Sequence, residues 1–365
     1  MTRKEFIQIC GILGVGLPLG LSASSCSDED ILVSGFKGKV VIIGAGAGGL
    51  SAGYLLQQLG IDFQIIEASA TFGGRMKINN SFADFPLPMG AEWLETSVSV
   101  FKEIVNNSGV SVDIKTFDDS PDLKFVNSSW FNFYEQYIVP SIANKIDYNN
   151  VVKKIDYSSD KVVITANDGV FEADKVIVSV PLKILQLGEI EFNPLLPKEK
   201  QDAINSVTIW DGFKAFFEFS SKFYDDEYEF KITPETDGQK IYYNAALGQN
   251  STKHILGLFA VGKPAFDFLS MSENELKDYV LGELDAIYSK KATPGYIKHV
   301  FQNWNNEPYI KGGYLSDYAD WKSVKVLGQS VANKLYFAGG AYTDGEDWVS
   351  VHLAAASARI AVKEL

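Results

Sequence analysis

Cysteine and histidine are scarce in this sequence. The 365 residues include 2 cysteines, Cys10 and Cys26, and 3 histidines. Both cysteines lie within residues 1–30, so the rest of the chain has no thiol from which to build a disulfide framework. These few imidazole and thiol groups do not have the spacing typical of metal ligands, so we assign no metal. A disulfide-stapled domain and a zinc-type site are therefore excluded as the basis of the fold.

Positive charge is also in short supply. Lys and Arg together number 33, against 46 Asp and Glu, which gives a formal net charge of −13. This balance disfavours nucleic acid as a partner and suits a cationic ligand, although acidic surfaces are common in globular proteins. The hydrophobic content of 46 % and charged content of 22 % are ordinary for a globular chain. The length allows two domains.

One long apolar run occurs near the start, at residues 6–21. It follows a basic start, and its glycines and Pro18 make it a poor membrane span and a better signal-peptide core. Residues 21–26, LSASSC, resemble a bacterial lipobox, which predicts cleavage before Cys26 and lipidation of that residue. Residues 1–30 are therefore expected to be a signal and lipoprotein segment outside the fold.

This segment predicts an exported bacterial lipoprotein of the cell envelope, either periplasmic or at the cell surface. Residues 27–30, SDED, resemble an acidic tag for surface export, and residues 2–7, TRKEFI, resemble a degenerate twin-arginine signal. General secretion and twin-arginine export both stay open, as does an uncleaved N-terminal anchor. Membrane contact is expected through lipidated Cys26 only.

The strongest pattern is a strand, glycine turn, helix and strand unit at residues 39–67. Residues 39–43 form a Val- and Ile-rich run typical of a buried parallel strand. Residues 50–59 predict a helix, and residues 62–66 predict a second strand that ends at Glu67. Three glycines with the spacing G-x-G-x-x-G join the first strand to the helix: Gly44, Gly46 and Gly49.

Each part of this unit suits a dinucleotide. Gly44 allows the tight turn, Gly46 lets the backbone approach a pyrophosphate, and Gly49 lets the helix pack closely on the strand. The helix N-terminus offers unpaired N–H groups to phosphate oxygens. Glu67 is placed to accept hydrogen bonds from ribose hydroxyls. The unit predicts a dinucleotide site, and the alternative is a glycine-rich turn in another α/β fold.

The residues after Glu67 separate FAD from NAD. Residues 68–76, ASATFGGRM, resemble the second phosphate-contacting segment of the flavin-containing amine oxidase family. This family includes monoamine oxidases, polyamine oxidases and histone lysine demethylases. The resemblance implies that Gly73, Gly74 and Arg75 wrap the FAD pyrophosphate and ribose.

Further motifs similar to this family follow in order along residues 37–365. The resemblance assigns additional cofactor contacts to the following residues: Gly90, Ala91, Glu92, Trp93, Val152, Gly339, Gly340, Ser350 and Val351. The start of the last helix, near Ser350, is implied to stabilise negative charge on the reduced flavin ring. The family has a glutamate where this chain has Gly340, a departure that we expect to weaken FAD binding.

Three residues carry the chemistry that the resemblance implies. Lys214, in FKAFFEF, matches a lysine that is linked through a water to flavin N5. The alternative is a lysine on the wet face of a strand, and the apolar neighbours favour burial. Tyr314 matches an aromatic residue that walls the substrate against the flavin face. Glu95 aligns with a carboxylate that faces the amine, with a surface glutamate as the alternative.

Two tryptophans have open roles. The second aromatic wall of monoamine oxidases falls at Ser350 in this chain, and Trp348 is a nearby substitute. Trp304 is assigned either to the core or to the flavin edge.

The implied fold class is α/β, with a Rossmann-like FAD-binding domain (GR2-type) and an α+β substrate domain built on a mixed or antiparallel sheet. The expected boundaries are residues 37–95, 149–186 and 300–365 for the discontinuous FAD domain, and residues 96–148 and 187–299 for the substrate domain. The family usually has a larger helical insert, so we expect a wider cleft here.

Local patterns predict several further elements. A hairpin is expected at residues 161–173 around Asn167-Asp168-Gly169. The other expected elements are helices at 98–107, 130–145 (broken at Pro140) and 272–289, and strands at 174–181, 207–224 and 335–338.

The resemblance implies a flavoenzyme that oxidises an amine by hydride transfer to flavin N5. The amine would be a polyamine, a monoamine or an amino acid. Dioxygen or another acceptor would regenerate the flavin, and dioxygen would yield hydrogen peroxide. FAD is expected to be non-covalent, because no cysteine remains to link it. Two alternatives stay open: a carotenoid- or porphyrin-type flavin desaturase or isomerase, and a non-catalytic partner with the FAD fold. Oligomerisation is left open.

Overall fold

The structure is a computed structural model that describes residues 35–107, 109–117, 120–233 and 235–365. The predicted export segment at residues 1–30, with Cys10 and Cys26, lies outside the described residues. Across the described ranges, no helix combines the length and the apolar character that crossing a bilayer requires.

The strands of the described chain are named here in order. They are β1 (Lys39–Ile43), β2 (Asp62–Ile66), β3 (Ile78–Asn79), β4 (Leu87–Pro88), β5 (Trp93–Leu94), β6 (Ile114–Phe117), β7 (Ser120–Phe125), β8 (Ile146–Asp147), β9 (Val152–Asp156), β10 (Val162–Ala166), β11 (Gly169–Ala173), β12 (Lys175–Val178), β13 (Glu191–Asn193), β14 (Gly212–Phe219), β15 (Glu227–Glu229), β16 (Gly238–Asn244), β17 (His254–Gly262), β18 (Tyr296–Asn303) and β19 (Leu335–Phe337).

The helices are named in the same way. They are α1 (Ala47–Gln58), α2 (Val100–Val105), α3 (Trp130–Tyr137), α4 (Val139–Ile142), α5 (Leu182–Gln186), α6 (Lys198–Ser206), α7 (Phe266–Leu269), α8 (Glu273–Ile287), α9 (Ala292–Gly295), α10 (Trp321–Gly328) and α11 (Val351–Lys363).

A parallel sheet with the order β19-β12-β1-β2-β8 forms the centre of the nucleotide-binding part. Strand β1 lies in the middle because its Val and Ile side chains are apolar on both faces. Val40 and Ile42 pack with residues of α1 and α11. Val41 and Ile43 pack with residues of α5, α6 and α10 on the opposite face. The predicted α/β fold with a parallel, Rossmann-like sheet is confirmed.

The helix after the glycine turn begins earlier than predicted. It starts at Ala47 and ends at Gln58, with Gly46 in extended backbone conformation before it. A Cβ at Gly49 would lie 1.9 Å from the Gly44 carbonyl oxygen, so this first turn packs directly on the preceding loop. Helix propensity alone disfavours glycine there, and the close packing requires it.

Two further sheets complete the main framework. The order β11-β10-β9-β13 contains the predicted hairpin, in which β10 and β11 pair antiparallel. The order β15-β16-β17-β14-β18 is an antiparallel sheet, as predicted for the 207–224 region, although β14 is limited to Gly212–Phe219. Both faces of β14 are covered, because Phe213 and Phe217 join one core cluster and Phe216 joins another.

Helix predictions in the middle of the chain differ from the structure at their ends. The predicted helix at 130–145 is divided into α3 and α4 at Ile138, and Pro140 lies in the first turn of α4, where its missing N–H costs nothing. The predicted helix at 98–107 is shortened to Val100–Val105, because Asn106 adopts a left-handed conformation. Ser272 is the N-cap of α8 and forms a reciprocal capping box with Glu275.

Lys200 joins α6 to the C-terminal end of α10. Its ammonium nitrogen is 3.2 Å from the carbonyl oxygen of Val326 and 2.9 Å from that of Leu327, and it also donates to Gln329. The ring centroid of Phe337 lies 3.4 Å away. The side chain is buried, and burial lowers the pKa of Lys200 to about 7. One lysine therefore donates to three carbonyl groups at the end of α10, where the helix has few N–H groups to offer them.

We expect Lys200→Met to lower the free energy of unfolding by about 2–4 kcal/mol, because these buried carbonyls lose their donor. Above pH 7 the unfolded state binds more protons at this site than the folded state, so the stability contributed by Lys200 rises with pH. The loss is therefore larger at pH 9 than at pH 6 in urea unfolding. Lys198→Met, which removes an exposed pair with Asp202, serves as the control. An equal loss in both variants would contradict this account.

Candidate flavin and substrate site

One large cavity of about 1750 Å³ collects the predicted cofactor residues. It is lined by these predicted positions: Gly44, Gly46, Glu67, Gly73, Gly74, Arg75, Gly90, Ala91, Glu92, Trp93, Val152, Gly339, Gly340, Ser350 and Val351. Lys214, Tyr314 and Glu95 line the same cavity. Gly49 does not line it, and instead lies beneath the turn against Gly44. This volume exceeds the usual range of drug-sized pockets, as a dinucleotide together with a substrate requires.

The glycine turn is shaped to receive a pyrophosphate. Gly44 has φ 102° and donates its N–H to the carbonyl of Ile66 over 2.8 Å. A Cβ at Gly46 would meet no atom within 4 Å, so the space over this residue is open to a ligand. Gly46 also precedes the N-terminus of α1, where backbone N–H groups lack partners within the helix.

Glu67 lies at the end of β2 and closes this part of the cavity. Its Oε2 accepts from the N–H of Ala45 over 2.6 Å, and its Oε1 accepts from the N–H of Ser69 over 2.8 Å. Two backbone donors fix the carboxylate, and each oxygen keeps a further lone pair for a ligand hydroxyl. The contact with Ala45 ties the acidic residue directly to the glycine turn.

The Gly73-Gly74-Arg75 segment crosses the glycine turn. Gly73 donates its N–H to Ala45 over 2.9 Å, and both glycines have positive φ, at 111° and 55°. The half-buried Arg75 donates from Nη1 to the carbonyl of Gly313. The segment thus brings a cation to the wall of the cavity.

The far side of the cradle combines the end of β19 with the start of α11. Gly339 has φ 143° and donates its N–H to Ser357 over 2.8 Å. Ser350 is the N-cap of α11 and makes no side-chain cap hydrogen bond, so N–H groups of the first turn face the cavity wall. Such a helix end stabilises negative charge.

The structure explains why position 340 holds a glycine in this chain. A Cβ at this position would lie 2.7 Å from the carbonyl oxygen of Val349, a distance that real contacts avoid. Val349 itself has φ 94°, which is unusual for a β-branched residue. A glutamate at position 340 would therefore require the backbone before α11 to move.

A buried ion cluster, which we call the Glu92 cluster, forms the opposite wall. Glu92 Oε2 accepts from Lys214 Nζ over 2.6 Å and from the Tyr243 hydroxyl over 2.6 Å. Lys214 Nζ also donates to the Gly90 carbonyl over 3.0 Å. Lys124 Nζ lies 3.4 Å from Glu92 Oε1. The side chains of Glu92, Lys214 and Lys124 are 2 %, 4 % and 4 % exposed, which rules out the wet-face alternative for Lys214.

Burial and charge act in opposite directions in this cluster. Burial alone would raise the pKa of Glu92, but Lys214, Lys124 and the Tyr243 hydroxyl together hold it below its ordinary value. Burial lowers the pKa of Lys214 despite the opposing charge of Glu92. Burial and Glu92 raise the pKa of Tyr243 well above its ordinary value. The carboxylate is therefore ionised and the phenol neutral at physiological pH.

The substrate end of the cavity is acidic. Burial raises the pKa of Tyr314 well above its ordinary value, and the nearby charges of Asp317 and Glu95 raise it further. These residues therefore lie close enough to act on one ligand. Asp317 lines the cavity. Its burial there, together with the charge of Asp347, raises the pKa of Asp317 to about 6.

Glu95 is exposed and lines the cavity, so both the substrate-facing role and the surface-glutamate alternative stay open. The buried carboxylate of this segment is Glu92, which is paired with Lys214. Sequence reasoning missed this pairing, and it missed Lys124 and Asp317 altogether. The sequence signal for the pair was the unusual glutamate between Ala91 and Trp93 in an otherwise small and apolar segment.

The tryptophans with open roles both reach the cavity. Trp304 is buried at 5 % exposure, and its Nε1 donates to the Met89 carbonyl over 3.0 Å. It also lies over Gly90, where a Cβ would be 2.8 Å from the indole ring. Trp348 donates from Nε1 to the Ser316 carbonyl over 3.3 Å and lines the cavity near Ser350.

The residues present fit a flavin dinucleotide. The cradle has open space over Gly46, two helix N-termini, a fixed acid at Glu67 and a cation at Arg75. These are the groups that a pyrophosphate and a ribose require. The Lys214 side chain reaches the same cavity from β14, beyond the cradle.

Comparison with known proteins agrees with this geometry. Residues 134–365 match the family model described as flavin containing amine oxidoreductase, and residues 42–107 match an NAD(P)-binding Rossmann-like domain. Human lysine-specific histone demethylase 2 is 23 % identical over 86 % of this chain and 50 % of its own length. Polyamine oxidase 2 of Arabidopsis thaliana is 22 % identical over 76 % of this chain and 78 % of its own length.

The fold has a close counterpart among solved structures. A putrescine oxidase variant with redesigned cofactor binding superposes with a TM-score of 0.73, at 13 % identity, over 89 % of this chain and 98 % of that one. The chain spans half or less of the length of several curated relatives, for example 42 % of rice polyamine oxidase 5. The family match covers more than half of the sequence. The chain therefore belongs to the flavin-containing amine oxidoreductase family.

Proposed function

We propose that this protein binds FAD non-covalently and oxidises a small cationic amine at the carbon next to nitrogen. The observation that carries the proposal is the buried Lys214, which faces the same cavity as the dinucleotide cradle. FAD, when bound, supplies the two-electron oxidation. The chain's own residues bind and orient the amine, exclude water and hold protons at defined positions.

The acidic end of the cavity supports a cationic substrate. Glu95, Asp317 and Asp347 line the cavity together with Tyr314. A cluster of carboxylates attracts an ammonium group and raises its local concentration. We propose that the substrate carries a second cationic group, as diamines and polyamines do, and that this group binds to these carboxylates.

The walls of the cavity assign further roles. The Tyr314 ring packs beside Trp210, with centroids 5.9 Å apart, and forms an apolar wall for the reacting carbon. We assign to Lys214 the role of holding a water near the cofactor, and this is supported by the contacts with Glu92 and the Gly90 carbonyl that fix its ammonium nitrogen. The reacting nitrogen must lose its proton before oxidation, so the amine reacts in its neutral form. Dioxygen is the proposed final acceptor, with hydrogen peroxide as product.

Non-covalent attachment has a chemical basis. The chain's only cysteines, Cys10 and Cys26, precede the described residues, so none of the described residues that line the cavity carries a thiol. Acid precipitation of the flavin-loaded protein should release all yellow colour into the supernatant. Colour retained in the pellet would contradict non-covalent binding.

We expect Asp317→Asn to raise the KM for a diamine about 10-fold at pH 8, which corresponds to the loss of one ion pair of about 1.4 kcal/mol. In the wild type, the carboxylate forms as pH rises through about 6, so KM falls over that range. The variant should lose this pH dependence. Steady-state kinetics between pH 5 and pH 8, with the exposed Asp202→Asn as control, test the expectation. A variant that keeps the wild-type KM profile would remove Asp317 from substrate binding.

The proposed activity is tested by mixing flavin-loaded protein anaerobically with a panel of diamines, polyamines, monoamines and L-amino acids. Bleaching of the visible flavin bands by amines that carry a second cation supports the proposal. Bleaching only by monoamines without a second cationic group would overturn the proposed substrate class but would still support amine oxidation. Bands that persist with every amine would overturn amine oxidation itself.

A further inference from the structure

Lys124 approaches Glu92 from behind the main cavity. It lies on β7, whose register with β5 places it opposite Trp93, directly beside Glu92. Its Nζ donates to the Ala245 carbonyl over 2.7 Å and to the Asn244 carbonyl over 3.4 Å. Glu92 borders both the main cavity and a small cleft on the Lys124 side. The carboxylate thus lies between Lys214 on one side and Lys124 on the other.

The two lysines compete for one anion. Glu92 Oε2 bonds to Lys214 and Tyr243, whereas Oε1 makes no hydrogen bond among the described residues and has Lys124 Nζ as its counterion at 3.4 Å. Two ammonium groups and one carboxylate leave an excess positive charge where water is excluded. Burial is the main cause that lowers the pKa of Lys124, Glu92 opposes this shift, and the charge of Lys214 lowers the pKa further. Because repulsion between two like charges acts on both, the charge of Lys124 also disfavours the protonated form of Lys214.

Among the described residues, nothing else that packs on Lys214 offsets this excess charge. Its cross-strand neighbours are Phe259 on β17 and Gln302 on β18, and neither is ionisable. Strand β16 contributes Tyr243, which stays a neutral phenol. The remaining charged neighbours within the described chain are Glu92 and Lys124 themselves. The balance between these two therefore decides the charge of Lys214.

We propose that Lys124 is a positioning residue that holds Glu92 from behind and thereby sets the protonation state of Lys214 at the cavity wall. Without Lys124, Glu92 would serve Lys214 alone, and Lys214 would keep its proton to higher pH. With Lys124 in place, the two lysines lose their first proton at a lower pH. The kinetic consequence of this inference rests on the proposed function, but the charge coupling itself does not.

The test uses the full flavin-loaded chain and the variant Lys124→Met. The wild-type visible spectrum is expected to change with pH, with a midpoint below the ordinary lysine pKa of about 10.4. The change occurs because a positive charge beside the flavin is lost at that pH. In Lys124→Met this midpoint moves upward by about one pH unit or more. Lys124→Arg keeps the charge and should keep the wild-type midpoint. Lys253→Met removes a lysine paired with Glu218 and should change nothing.

Two outcomes would overturn the inference: a wild-type spectrum without any step below the ordinary lysine range, or equal midpoints in wild type and Lys124→Met. If Lys124→Met does not fold, Lys124→Gln replaces it, because glutamine keeps a donor for the Ala245 carbonyl. The same upward shift of the midpoint is expected in Lys124→Gln. The titration of the wild type does not depend on either variant. The pH profile of anaerobic flavin bleaching should shift in the same direction as the spectrum. A spectral shift in a protein that oxidises no amine would overturn the proposed function and support the coupling.

Discussion

Replacing Lys214 by methionine is expected to slow the reaction of the reduced enzyme with dioxygen by roughly 100-fold or more while flavin stays bound. Methionine fills a similar volume but has no group to hold a proton or a water at the cavity wall. Glu92 keeps Lys124 and Tyr243 as partners, so its charge is not left isolated. Stopped-flow absorbance of the oxidative half-reaction, after anaerobic reduction with an amine or dithionite, measures the effect directly.

The matched control for this variant is Lys253→Met. It makes the same chemical change at a lysine that is paired with Glu218 over 2.8 Å, away from the cavity. Its rates should equal those of the wild type. If Lys214→Met retains wild-type rates in both half-reactions, Lys214 has no part in the mechanism and its ion pair with Glu92 serves stability alone.

Gly46→Ala is expected to reduce FAD affinity about 100-fold or more without destabilising the fold, a loss of roughly 3 kcal/mol. A Cβ at position 46 meets no protein atom within 4 Å, so the fold tolerates alanine. The new methyl group would occupy the space through which the pyrophosphate approaches the backbone. Fluorescence titration of the flavin-free protein with FAD, alongside thermal unfolding of that same form, separates the two effects.

Gly282→Ala is the matched control for this cofactor variant. Gly282 lies in α8, and a Cβ there also meets nothing within 4 Å. Alanine in a helix interior should raise stability by about 0.5–1 kcal/mol and leave FAD affinity unchanged. Equal FAD affinity in Gly46→Ala and wild type would show that the pyrophosphate does not pass over this turn.

The nucleotide-binding unit was predictable because its signals are local. The bounds of β1 and β2 agree with the predicted strands, and the glycine spacing located the turn between them. The capping box at Ser272 and the hairpin around Asp168 are likewise short-range patterns. Each of these elements depends on residues a few positions apart, so the sequence contains the whole physical argument.

The Glu92 cluster was not predictable in the same way. Lys124 reaches Glu92 only because β7 pairs with β5, a contact between separate segments that no short-range pattern signals. Glu92 and Glu95 are only three residues apart, yet the first is buried and the second is exposed. The family comparison directed attention to Glu95, while the fold buries Glu92.

Gly340 shows how a departure from the family pattern acquires a physical reason. The sequence alone indicated a missing glutamate and weaker cofactor binding. In the structure, the carbonyl of Val349 occupies the space in which a side chain at 340 would begin. The backbone just before α11 therefore lies where that side chain would begin, and Ser350 and Val351 line the cavity.

The most direct test of the account is the visible spectrum of the purified protein with FAD, recorded before and after anaerobic addition of a diamine. The account predicts oxidised flavin bands that bleach on mixing and return when air is admitted. A protein that stays colourless after FAD is added would contradict the proposed cofactor site. Bound flavin whose bands resist every amine would contradict amine oxidation.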